Sequence, residues 1–130
     1  MKRLVVLVAA AATLLSAETA SAGCWATVDL SSLPKLGLEA GQPWLVTVRV
    51  LQHGQTPLAD AKPEIRIRKA GGKVTAFRAR PAATVGSYRF RVVFPAAGRW
   101  SFTVFDGFVP NCASVHTFKP VTIAPADVAP

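Results

Sequence analysis

Methionine occurs once in this chain, at position 1, and tyrosine once, at position 88. The methionine-rich motifs of some exported metal proteins are therefore absent. Acidic side chains are scarce, seven against fifteen lysines and arginines, and they form no paired cluster of the kind that divides general acid and base work between two carboxylates. No G-x-S-x-G nucleophile turn and no H-E-x-x-H zinc motif occurs. With only two histidines and two cysteines, few nucleophile or metal-ligand sets can be assembled. Helical periodicity is nearly missing, no repeat of solenoid or propeller spacing is present, and nothing resembles a nucleic-acid module. Beyond the first segment no apolar run approaches the roughly 20 residues that span a bilayer. These absences predict a protein without catalysis of its own.

The first segment has the features of an export signal. Lys2 and Arg3 precede an apolar run from Leu4 to Leu15, and Ala20-Ser21-Ala22 places small residues where signal peptidase requires them. Residues 1–22 are read as a signal peptide cleaved after Ala22, which predicts a periplasmic or secreted product without a transmembrane segment. Cleavage removes two basic residues and one acidic residue, so the product stays strongly basic. Such a product is suited to an anionic envelope surface or an acidic protein, not to nucleic acid outside the cytoplasm.

Cys24 and Cys112 form an even pair, and in an oxidising compartment the simplest state is a disulfide. In the chain-entropy model a bridge over so long a loop adds at most about 4–5 kcal/mol of stability. Lipidation of Cys24 is the alternative. Ser21-Ala22-Gly23 supplies the small residues, but the usual aliphatic residue three places upstream is missing.

From Cys24 onward the dominant signal is alternation with period two. CWATVDL (24–30), WLVTVRVL (44–51), EIRIRK (64–69), KVTAFRAR (73–80), YRFRVVF (88–94), WSFTVF (100–105) and ASVHTFKPVTI (113–123) read as seven strands separated by Gly- and Pro-bearing turns. Seven short strands in one domain predict an all-β, immunoglobulin-like Greek-key β-sandwich over 23–123, followed by a disordered tail over 124–130. First and last strands then begin at the same end, which brings the two cysteines together. Trp44, Tyr88, Phe90, Trp100 and Phe102 fall on inward phases.

GSYRFRVVFPAAGRWSFTVFDGF (86–108) and VTVRVLQHGQTPLADAKPEIRIRK (46–69) resemble the YtkA-like and FixH-like family of exported immunoglobulin-like domains. Tyr88, Pro95, Gly98 and Trp100 carry most of the likeness. The resemblance implies an extracytoplasmic accessory or binding domain, in some members associated with copper handling or assembly of respiratory complexes.

Two kinds of site follow. Arg49 alternates against a valine face, and Arg89 and Arg91 alternate on a strand that a sandwich places in the same sheet. Together they predict an outward basic patch for an envelope protein or anionic surface, although solubility and protection of sheet edges explain such residues equally well. Recognition is expected at the loops of the cysteine end, with the basic face tuning approach: Asp106, Phe108 and Asn111, in the loop near Cys112, and His53, in a loop at the same end, are the contact candidates, because loops on rigid scaffolds often carry recognition. The second kind is a metal site. No cofactor is expected, but copper at His53 and His116 is the alternative, with His53 and Asp106 sterically able to meet. No residue is assigned a catalytic role, and a monomer is expected.

Overall fold

Every second residue from Trp44 to Val50 is buried, and the residues between them are exposed or half-buried. That pattern belongs to a strand with one face on a core. The computed structural model describes residues 24–108 and 111–127, and the signal peptide predicted over 1–22 lies outside them. The strands are β1 (Ala26–Leu30), β2 (Pro43–Gln52), β3 (Thr56–Pro57), β4 (Glu64–Lys69), β5 (Thr75–Arg78), β6 (Arg80–Pro81), β7 (Ser87–Val93), β8 (Gly98–Phe105), β9 (Val115–Thr117) and β10 (Val121–Ile123). No helix occurs among the described residues, so none is long and apolar enough to cross a membrane.

Two antiparallel sheets form a sandwich. The first has the order β1-β2-β7-β6, with β3 folded back on β2. The second has the order β10-β8-β4-β5, with β9 also on β8. Val46, Val48, Val50, Phe90 and Val92 from the first sheet meet Ile65, Ile67, Phe102, Val104 and Ile123 from the second. Burying each such side chain contributes roughly 1.5–3 kcal/mol. Rings fix the sheet spacing: Trp44 meets Phe102 edge-on at 5.2 Å, and Phe94 meets Trp100 at 5.7 Å. The inward phases of Tyr88, Phe90, Trp100 and Phe102 are as the alternation predicts.

Two predicted strands divide. KVTAFRAR becomes β5, paired with β4, and β6, paired with β7, so the chain changes sheets at Ala79. Only Phe77 and Ala79 of this stretch are even partly buried, so no inward row holds it to one sheet. Pro81, having no N–H, is the last residue of β6, at the edge of its sheet. The last predicted strand divides into β9 and β10 around Phe118-Lys119-Pro120. Phe118 turns in to stack on Phe102 at 5.2 Å, and Pro120 again lacks a donor. Ala124, assigned from sequence to the tail, forms an isolated parallel bridge with Glu39.

Candidate functional site

The two sheets give the molecule a disulfide end and an opposite end. At the former, Cys24 and Cys112 are bonded, with Cα atoms 5.1 Å apart, which closes the pairing that the two cysteines predict. The loops beside it are tied down from below. Tyr88, buried on β7, donates from its hydroxyl to Leu58 O at 2.6 Å and accepts from Ala61 N at 3.0 Å. Burial pushes the phenol above its ordinary value near 10, and the charge of Asp60 adds to the rise. A cleft of about 620 Å³ lies beside this tyrosine, bounded by the 59–64 segment, Arg78 and Pro81.

Asp106 follows β8 and is fully buried. Its Oδ1 accepts from Phe108 N at 3.0 Å and Ser114 N at 3.1 Å, and its Oδ2 lies 2.9 Å from His116 Nε2. A carboxylate only accepts, so His116 presents its Nε2–H here. Asp106 N donates to Ser114 O at 3.0 Å. Next to it, Gly107 adopts φ +65°, and a Cβ there would collide with the Lys62 backbone. A glycine is therefore required where the loop crosses the 62 position.

These contacts decide where the predicted site residues fall. Asp106 engages His116 of β9 through Oδ2, and its Oδ1 is occupied by two backbone N–H groups of its own loop. His53 is exposed, at φ 52°, with its ring 4.8 Å from that of Trp25, which is 45% exposed. Trp25 thus packs on the histidine. Phe108 is half-buried against the core and Asn111 is exposed at φ 57°. Among the described residues no three His, Cys, Asp or Glu side chains are grouped to hold a metal, and both sulfurs are in the disulfide. His116 therefore faces Asp106, and His53 faces Trp25.

The arginines behave differently on the two sheets. On β4, Arg66 is 3.2 Å from Glu64 and 4.4 Å from the centre of the Phe105 ring, and Arg68 donates to Gly72 O at 3.0 Å. On the first sheet Arg49, Arg89 and Arg91 are exposed on the outer face, as the alternation predicts. Register adds a fourth that sequence reasoning missed: Arg80 of β6 stands directly opposite Arg89. Leu45 stands opposite Arg91 and Thr47 opposite Arg89. Asp29 is opposite Arg49, yet the carboxylate ion pairs among the described residues are Arg66–Glu64 and His116–Asp106. Among the described residues the four arginines of the first sheet thus have no acidic partner. Sequence offered only Pro81 as a signal, a residue suited to an edge strand such as the two-residue β6.

An immunoglobulin-like two-sheet sandwich, stapled at one end by one disulfide and carrying an arginine face with no carboxylate partner among the described residues, defines the class. The chain belongs to the YtkA-like family, whose model matches residues 25–105. No curated protein matches it.

Proposed function

We propose that this protein is an exported, non-catalytic accessory domain that recognises an anionic partner, a protein or an envelope surface, through the outer face of the β1-β2-β7-β6 sheet. The observation that carries the reading is the contrast between the sheets: Arg66 and Arg68 are satisfied within the fold, whereas Arg49, Arg80, Arg89 and Arg91 are not. Like charges directly opposite on neighbouring strands cost roughly 0.2–1 kcal/mol, so the Arg80–Arg89 pair weakens the edge it stands on. An external polyanion would relieve that repulsion, and guanidinium forks suit carboxylates and phosphates. The predicted signal peptide and the disulfide support export, the latter because such bonds persist in oxidising compartments.

The test is retention of the oxidised, signal-cleaved protein on immobilised polyglutamate at low and high salt. Charge reversal of Arg89→Glu with Arg91→Glu is expected to weaken binding by about tenfold or more, while Arg66→Glu changes it little. Salt-independent binding, or equal loss in both variants, would reject the arginine face.

A further inference from the structure

The end opposite the disulfide carries an apolar tip that the core does not need. Leu38 fills the core from the β1–β2 connection, yet Leu36, two residues earlier, is 101% exposed. The local geometry explains its position. Leu38 N donates to Lys35 O at 3.1 Å, and Gly37 has φ 78°, so residues 35–38 form a turn with a positive φ at its third residue. Leu36 sits at the second position, the apex, where a side chain is held away from the protein.

Leu36 is not alone. Ser31 is hydrogen bonded in both directions with Thr47, and Ser32 Oγ accepts from Trp44 Nε1 at 3.1 Å. The chain therefore follows β2 past the end of β1, and Leu33 (63% exposed) comes next on this connection, while Leu45 (66% exposed) lies near the start of β2. Arg91 stands opposite Leu45. The β4–β5 turn lies at the same end, because Lys69 is opposite Trp100 near the start of β8, and it presents Val74. Trp25, Val85 and Val115 are exposed at the disulfide end, but none of them protrudes as fully as Leu36.

The charges nearby say what the tip meets. Each loop has a lysine beside its exposed apolar residue, Lys35 before Leu36 and Lys73 before Val74, and Arg91 flanks Leu45. Protruding apolar side chains beside ammonium and guanidinium groups match a bilayer interface, where the apolar tip enters the acyl boundary and the cations stay at the phosphates. A protein partner would instead need its own pocket for each protruding side chain.

We infer that the 31–42 loop, with Leu33 and Leu36 as inserting residues and Lys35, Lys73 and Arg91 as phosphate contacts, docks this domain on an anionic lipid surface. This rests on the anionic-partner reading above and specifies the partner.

The experiment is co-sedimentation of the oxidised, signal-cleaved protein with vesicles of phosphatidylcholine, alone and mixed with phosphatidylglycerol. Retention on polyglutamate is measured in parallel. The expected result is at least about tenfold stronger partitioning onto the phosphatidylglycerol mixture, weakened by salt. Leu33→Ser with Leu36→Ser should then reduce partitioning by about fivefold or more at unchanged Tm, because both side chains are exposed, and leave polyglutamate retention intact. Vesicle binding that the leucine variant leaves unaltered would overturn insertion. Polyglutamate binding without vesicle binding would overturn the lipid assignment, leaving an acidic protein as the partner. Binding to neither would remove both readings.

Discussion

Tyr88 shows how one side chain links the core to the loops above it. Its ring lies in the inward row of β7, and its hydroxyl, through Leu58 and Ala61, holds the segment that walls the cleft. The phenol is raised above its ordinary value because burial penalises the phenolate, so the folded state binds this proton more tightly than the unfolded chain. The resulting stability is fully present below pH about 10 and is lost as pH rises through the raised folded value. Tyr88→Phe removes both hydrogen bonds and leaves Ala61 N without its acceptor, at a cost of about 1–3 kcal/mol. Urea unfolding near neutral pH should register that loss. Repeated above pH 10 it should show the gap between the two proteins narrowing. A gap that stays constant would mean that the hydroxyl does not titrate with folding. Inwardness was legible for Tyr88 from alternation alone. Its two hydrogen bonds were not, because they depend on a loop some 30 residues away in sequence.

At the scale of elements, strands whose inward rows are complete could be read almost residue by residue: EIRIRK is β4, and WLVTVRVL is the body of β2. The failures lie where the apolar rows are interrupted. The 73–80 stretch has no continuous buried face, so its division between sheets depended on partners that only the folded topology supplies. The placement of Arg80 opposite Arg89 was lost with it. The turn over 106–111 was legible as a turn leading to Cys112. Its centre was not, since a single aspartate in sequence gives no sign that it will gather two backbone N–H groups and a histidine. Asp106→Ala would leave these donors without their acceptor in a buried position. A destabilisation of about 3 kcal/mol is expected. Amide exchange should quicken at Phe108 and Ser114 well before the β2–β7 ladder is affected. Uniform quickening over both sheets would show that the aspartate supports the whole sandwich and not this loop.

For the whole molecule, the two ends have separate tasks. The disulfide end is cross-braced: Cys24–Cys112, the Asp106–His116 contact and the Tyr88 hydroxyl fix its loops, and its exposed polar candidates, His53 and Asn111, rest on positive-φ backbone. The arginine face and the leucine loop lie on the first sheet and at the far end. Composition and alternation located the cysteines and three of the arginines, but they favoured the cysteine-end loops for recognition, because nothing in a linear pattern ranks one set of loops above another. Exposed apolar side chains occur at both ends, Trp25, Val85 and Val115 at one and Leu33, Leu36 and Val74 at the other, and binding measurements on one protein can rank the two. His53→Ala with Asn111→Gly, the latter tolerating the same φ, should leave polyglutamate and vesicle binding within about twofold of the parent, since neither residue contributes a cation to the face. Cys24→Ser with Cys112→Ser should lower stability by up to about 4–5 kcal/mol. It should also leave the affinity of the remaining folded fraction unaltered, because no group at the far end loses a contact. Binding that fails in the His53/Asn111 variant while Arg89→Glu with Arg91→Glu retains it would return recognition to the cysteine end and make the arginines a solubility device.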